Sequence, residues 1–358
     1  MIYILIGTKG QFMKTFPVMQ GLDKRRVPYQ FIHICQHYHI IENTRKRLGI
    51  RKPDIYLTMK KRDLANIWEL LCWAPHVLWN ARKLPITKHD YVLIHGDAES
   101  TILGFLIAKW FGARIVHLES GIRSWNFFEP FPEEITRTVV SRYSDISFCP
   151  YQRDADTIKR KQSIFITNGN TALDSARLAL QRPPSNKIKQ FFGKKYVLIT
   201  FHRKENLFNK ERLHRIIRIL EEILRRGFIV IWPIHTNTVF ELKKQGVWQT
   251  ILELKRKFPL VTSYLFDYVD FMHAVRHSQF VASDSGGLQT ETFVLNTPML
   301  ILREVIEQDI GIGETAYLSK LEMRRVVWFL NSYRRLRRHK QVTSRPSDVV
   351  VDFFYNTL

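Results

Sequence analysis

The chain has 358 residues, 45% of them hydrophobic and 25% charged, and carries a formal net charge of +22. That length exceeds what one hydrophobic core usually holds, so two α/β-sized domains are expected, and the composition excludes a disordered or fibrous chain. The positive charge fits acidic ligands or anionic surfaces, but no zinc-finger, recognition-helix or aromatic RNA-binding pattern accompanies it, so no nucleic-acid partner is expected.

Met1-Ile-Tyr-Ile-Leu-Ile6 lacks a basic leader and a cleavage site and reads as a first strand. Gly7-Thr8-Lys9-Gly10 then turns into a helix reaching about Leu22. Tyr29–Cys35, Tyr91–His95, Arg114–Leu118 and Ile146–Cys149 read as strands. Between them His39–Leu48, Leu64–Trp79, Thr101–Phe111 and Glu133–Arg142 read as helices. A second series follows the linker-like Arg182-Pro-Pro-Ser-Asn186. Its strands are Tyr196–Phe201, Phe228–Pro233, Thr262–Phe266, Phe280–Ala282 and Met299–Leu302. Its helices are Lys210–Arg226, Val239–Lys257 and Lys320–Lys340, with a last one near Ser347–Asn356.

Short apolar strands that each end in a polar tip and a helix imply parallel sheets covered on both faces. The expected fold is α/β: two facing, doubly wound Rossmann-like domains with the active site in the interdomain cleft. Residues 1–182 would form the N-terminal domain and 183–343 the C-terminal one, with 344–358 a helix returning to the N-terminal domain. No apolar run approaches the roughly 18–20 residues of a spanning helix, so no stable membrane insertion is expected. Cys35, Cys72 and Cys149 have neither disulfide nor metal spacing and read as reduced thiols of a cytoplasmic protein.

In such folds ligands bind beyond the carboxyl ends of the strands, so the tips carry the chemistry. Phe280-Val-Ala-Ser-Asp-Ser285-Gly286-Gly287 reads as a strand, a tight glycine turn and a helix N-terminus capped by Ser285. Free N–H groups and the helix dipole there favour a phosphate, although a capped turn explains the same residues without a ligand. His95-Gly96-Asp97, His117-Leu-Glu119-Ser-Gly121 and Pro132-Glu133-Glu134 with Arg137 end or follow other strands. Thr200-Phe-His202-Arg203 and Pro233-Ile-His235 do so in the second half. Each has a structural alternative as a cap, a turn or a core histidine. Together, carboxylates on one side and His, Arg and a phosphate turn on the other suit a nucleotide sugar. No P-loop and no Gly-x-Gly-x-x-Gly after Ile6 is present, which argues against NAD.

These stretches, with Gln36-His37, Gly169-Asn170-Thr171, Asp267-Tyr268 and Asp284-Ser285-Gly286-Gly287-Leu-Gln289, resemble the non-hydrolysing UDP-N-acetylglucosamine 2-epimerases through nearly the whole chain. The resemblance implies a GT-B architecture and inversion at sugar C2 by anti elimination and re-addition of UDP, without metal or redox cofactor. It implies a homodimer, and a UDP-sugar as the ligand. Asp97, Glu119 and Glu133 would be acid/base carboxylates and His202 would assist at the leaving diphosphate. Lys9, Lys14, Arg137, His235, Ser285, Gly286 and Gly287 would bind substrate, and Glu291 would meet the ribose. Gly7-Thr8-Lys9-Gly10-Gln11 departs from the family's Gly-Thr-Arg-Pro-Glu, so a bidentate Arg fork becomes a point charge. Ile306-Glu307-Gln308-Asp309-Ile310 replaces its Thr-Glu-Arg-Pro-Glu, and Tyr38-His39 departs after Gln36-His37. A hydrolysing epimerase, a glycosyltransferase and a non-catalytic UDP-sugar sensor are the alternatives.

Overall fold

The computed structural model describes residues 1–58, 63, 67–123, 125, 133–158, 163–234, 236–263, 266–306 and 308–358, with backbone only at Ile67, Trp68, Leu71, Glu133 and Asn237. The chain forms two compact units, Met1–Ser175 with Thr343–Leu358, and Ala176–Val342.

The first unit is built on strands β1 (Ile2–Ile6), β2 (Tyr29–His33), β3 (Ile55–Tyr56), β4 (Tyr91–His95), β5 (Arg114–Leu118), β6 (Ile146–Cys149) and β7 (Ser163–Ile166). All pairs are parallel, in the order β3-β2-β1-β4-β5-β6-β7. Ile2, Ile4 and Ile6 are wholly buried, as are Val92 and Leu93. A strand apolar on both faces can survive only between two layers of helices. Those layers come from α1 (Lys9–Lys24), α2 (Tyr38–Leu48), α3 (Ile67–Ala81), α4 (Glu99–Phe111), α5 (Glu133–Tyr143) and α6 (Gln152–Ala155), and α7 (Ala172–Leu180) carries the chain across the division at Ser175. The C-terminal helix, Pro346–Thr357, lies on α1, where a Cβ at Gly21 would stand 2.5 Å from Val351. Its Phe354 sits edge-on to Tyr91 at 5.7 Å, and Ser347 donates backbone and hydroxyl hydrogen bonds to Asp174 at 2.8 Å and 2.6 Å.

The second unit repeats the plan with β8 (Tyr196–Thr200), β9 (Ile229–Pro233), β10 (Leu260–Ser263), β11 (Val281–Ser283), β12 (Met299–Ile301) and β13 (Ala316–Leu318), ordered β10-β9-β8-β11-β12-β13 and all parallel. Its helices are α8 (Asn186–Lys189), α9 (Lys204–Leu207), α10 (Lys210–Arg225), α11 (Thr236–Lys244), α12 (Trp248–Lys257), α13 (Tyr268–His277), α14 (Gly286–Leu295) and α15 (Met323–Ser332). Leu213, Ile216, Leu220 and Ile223 of α10 recur at helical spacing and are wholly buried against Val230, Trp232 and Phe329.

Several expected elements differ. Val239–Lys257 is two helices, because Gly246 takes a left-handed φ of +74° between them. Only Met323–Ser332 of the long basic stretch is α-helical, and one 3-10 turn follows at Tyr333–Arg335. The strand expected at Thr262–Phe266 begins earlier, at Leu260, and residues 264–265 lie outside the described residues. Among the described residues no helix is long and apolar enough to cross a membrane.

Candidate active site

Strand order reverses between β1 and β4 in the first unit and between β8 and β11 in the second. Chains leave such neighbouring strands in opposite directions, opening a crevice at their carboxyl ends. In each unit one buried polar side chain ties the two diverging tips together. In the first unit it is Gln11. Its carbonyl accepts from Gly7 N (2.9 Å), Thr8 N (3.0 Å) and Ser100 Oγ (2.7 Å), and its amide donates to His95 O (3.0 Å) and Thr101 Oγ1 (2.8 Å). Thr8 and Gln11 also close a capping box on α1. Gly7 is forced here, since a Cβ would lie 2.3 Å from Ser100 Cβ.

Glu119 follows β5 in the left-handed region, φ +62°, which a side-chain-bearing residue occupies at a cost of about 1–2 kcal/mol. That conformation presents its carboxylate to Lys14 Nζ, 2.7 Å from Oε1 and 2.6 Å from Oε2. Asn170 donates its side-chain amide to Oε1, and the His95 Nδ1 lies 3.5 Å from Oε2. Burial works to raise the Glu119 pKa. The Lys14 ammonium, with His95 and Arg137 contributing, outweighs burial and brings it down to about 2. Burial alone would bring an acid/base carboxyl toward neutrality; the cation beside Glu119 has the opposite effect. Lys14, expected on a phosphate, is engaged by this carboxylate.

Asp97 lies beyond β4, past Gly96 at φ +66°. Arg137 of α5 reaches it with Nε at 2.6 Å and Nη2 at 2.5 Å, both on Oδ2. Glu134, wholly buried, receives Arg123 Nε at 2.5 Å and stands 3.7 Å from Arg137 Nη1. The result is a run of alternating charge, Arg123–Glu134–Arg137–Asp97, that fixes the guanidinium expected to bind substrate. Glu133 opens α5, but its side chain is not among those described. Lys9, at the start of α1, donates its backbone N–H to His37 Nδ1 at 3.3 Å. The imidazoles of His95 and His117 are buried, and burial lowers them to about 3 and about 4, so both are neutral at physiological pH.

In the second unit Asp284 has the bridging role. Its wholly buried carboxylate accepts from His202 N (3.2 Å), Arg203 N (3.1 Å) and Asn206 Nδ2 (2.9 Å), holding the tip of β8 against that of β11. The His202 imidazole is left outward, 56% exposed, with Nδ1 3.8 Å from Asp284. Ser285 caps α14 by accepting from Leu288 N at 3.4 Å. Gly286 and Gly287 are the first two residues of that helix rather than a tight turn, because neither needs positive φ. A Cβ on Gly287 would meet only Ser285 Oγ, at 4.0 Å. Space rather than backbone freedom is therefore what glycine supplies, above a helix N-terminus suited to an anion. Glu291 accepts from the buried Tyr268 hydroxyl at 2.9 Å. His235 lies outside the described residues.

Asn170, Gln11, Glu134 and Asp284 stand in or beside the recognised motifs, yet none was assigned a role from sequence. Asn170, Gln11 and Asp284 stand next to a glycine-containing tip, the one signal that marks them, and their partners lie up to 90 positions away, as Thr101 does from Gln11.

The family model described as UDP-N-acetylglucosamine 2-epimerase matches residues 20–345. The UDP-N-acetylglucosamine 2-epimerase of Methanococcus maripaludis is 30% identical over 323 residues, 86% of this chain and 84% of that protein. The UDP-2,3-diacetamido-2,3-dideoxy-D-glucuronate 2-epimerase of Pseudomonas aeruginosa is 30% identical over 322 residues, with coverage of 86% and 84%. Among solved structures, the Neisseria meningitidis UDP-GlcNAc 2-epimerase bound to UDP-GlcNAc shares the fold at a TM-score of 0.81, 23% identity and 99% coverage of both chains. Two parallel-sheet α/β domains of the GT-B type are thus common to the neighbour and this protein. On these matches the chain belongs to the UDP-N-acetylglucosamine 2-epimerase family.

Proposed function

We propose that the protein inverts C2 of a UDP-linked N-acetylhexosamine without releasing the sugar. The observation that carries this reading is the charged cluster at the strand tips of the first unit, where Glu119 is ionised against Lys14 and Asp97 is gripped by Arg137. Elimination needs a carboxylate that takes the C2 proton while the C1–oxygen bond to UDP breaks with its electron pair, leaving a C1=C2 glycal. Protonation of C2 from the other face and attack of the UDP oxygen on C1 complete the inversion. No electron acceptor enters that balance.

A carboxylate held near pKa 2 is a poor base, so Lys14 is a natural control element. Exchange of its ammonium from Glu119 to the substrate diphosphate would raise Glu119 at the moment that substrate is in place. Arg137 would hold the Asp97 carboxylate in its orientation. In the second unit the N-terminus of α14, with Ser285, Gly286 and Gly287, would take diphosphate oxygens, and His202 would assist departure of UDP.

The test is product analysis by chromatography and mass spectrometry after incubation with UDP-N-acetylglucosamine and with C3-, C4- and C6-modified analogues. A UDP-linked manno product supports the proposal. Free N-acetylmannosamine with UDP assigns the hydrolysing reaction instead, and unchanged substrate throughout overturns catalysis of this class.

A further inference from the structure

The active-site chemistry leaves one feature of the second unit unused. Between Glu322 and Lys340 the sequence places seven arginines and lysines against one carboxylate. α15 buries Val326, Phe329 and Leu330 in the core, so its other face is turned out. That outer face carries Arg324 and, one turn on, Trp328, which is 50% exposed, with Met323 39% exposed beside them. Trp328 is stacked on Tyr317 at 4.6 Å, and the Arg325 guanidinium stands 4.9 Å over the same Tyr317 ring. The indole is therefore held in place while half of it remains uncovered.

The patch continues past the helix. Asn331 accepts from Arg226 Nη1 at 2.7 Å, joining α15 to the end of α10. Tyr333 packs edge-on to Phe228 at 6.1 Å, and Lys195 Nζ stands 4.4 Å over the same Phe228 ring. Arg334 and Arg335 emerge there, both exposed. Glu221 and Glu222 neutralise Arg225 and Arg226, but among the described residues no carboxylate pairs with Arg324, Arg334 or Arg335. Lys195 and Phe228 immediately precede β8 and β9. The patch thus runs along the outer face of α15, from the carboxyl end of β13, where Arg325 Nε donates to Leu318 O at 2.9 Å, to the amino ends of β8 and β9.

We infer that this face of the second unit docks on an anionic lipid bilayer, with Trp328 as the interfacial anchor and Arg324, Arg334, Arg335 and Lys195 on headgroup phosphates. An amphipathic ring with one exposed edge, flanked by guanidinium groups, suits the boundary between headgroups and acyl chains. Like charges left unpaired across one surface are favoured by an oppositely charged plane, and that attraction weakens with salt. A duplex nucleic acid would use the same cations but gains nothing from the indole, because its bases are already stacked on one another and closed to it.

The test is co-sedimentation of the full chain with vesicles of phosphatidylcholine alone and of phosphatidylcholine mixed with phosphatidylglycerol. Binding to the mixed vesicles only, reversed by salt, is expected. Arg334→Glu/Arg335→Glu should lower that binding more than about tenfold, with catalytic turnover of free substrate unchanged. Trp328→Ala should weaken vesicle binding while retention on duplex DNA stays at the wild-type level. The double charge reversal alone decides the matter if the loss of the Tyr317 stack unfolds the Trp328 variant. Absence of binding to the acidic vesicles, equal binding to neutral ones, or undiminished binding by the charge-reversed protein overturns the inference. So does a Trp328→Ala variant that loses DNA retention in step with vesicle binding, because the surface would then serve nucleic acid.

Discussion

Lys14 and Glu119, 105 positions apart, meet with both carboxylate oxygens within 2.7 Å of one ammonium. Glu119 adopts a left-handed backbone to make that contact, and Asn170 and His95 flank it. If the ammonium sets the basicity of Glu119, Lys14→Met will raise the Glu119 pKa, because the main cation that offsets burial is gone. We expect turnover to fall by at least about 100-fold and the acidic limb of the pH–rate profile to move to higher pH. A Lys14→Met profile that keeps the wild-type limb would separate the pair from catalysis.

Asp284 is the corresponding tie in the second unit. Asp284→Ala leaves the N–H groups of His202 and Arg203 and the Asn206 amide without their acceptor in a buried place. A loss of about 2–4 kcal/mol in unfolding free energy is expected, with weaker UDP binding, measured by denaturant titration and calorimetry. Undiminished stability would show that the two tips hold together without it.

The two glycine positions separate fold from ligand. Gly7→Ala brings a Cβ to 2.3 Å of Ser100 Cβ and should lower the melting temperature markedly. Gly287→Ala meets nothing closer than 4.0 Å and should melt as the wild type does, or slightly higher. If the α14 N-terminus takes the diphosphate, the same methyl should weaken UDP binding by about tenfold or more. Wild-type affinity in Gly287→Ala would move the diphosphate elsewhere.

Much of the fold was legible because its physics is local. β1, β4, β5 and β8 are apolar runs ended by a polar tip, and their expected bounds match or nearly match. β3, β7 and β13 went unseen, since they have only two to four residues and pairing with a neighbour, not their own pattern, makes them strands. α13 was missed as well. Its Asp267 cap, accepting from Asp270 N at 2.9 Å, was the available signal, overshadowed by a sequence rich in aromatic and β-branched residues. At the site, motif residues were legible, but their partners were not. The left-handed φ of Glu119 and the Arg123–Glu134–Arg137–Asp97 run arise only when distant tips converge.

Buried imidazoles predict the acid response. His33, His95 and His117 are lowered by burial to about 4, 3 and 4, so between those values and their ordinary 6.5 the unfolded chain binds more protons. Stability is therefore present in full above about pH 6.5 and is lost as pH falls toward the folded values, by roughly 1.4 kcal/mol per pH unit for each histidine. Glu119, also lowered, adds a loss below its ordinary value of 4.5. Melting temperatures from pH 8 to pH 4 (about the accessible range) should fall steadily from about pH 6.5. A flat profile over that interval would contradict the buried neutral state of these rings.

The most direct measurement is proton NMR of UDP-N-acetylglucosamine in D2O with wild-type protein, Asp97→Asn and Glu119→Gln side by side. The account predicts deuterium at C2 and a manno-configured UDP-sugar with the wild type, and loss of both in at least one variant that still binds UDP. Turnover without deuterium at C2, or wild-type exchange in both variants, would contradict proton transfer by the Asp97 and Glu119 carboxylates.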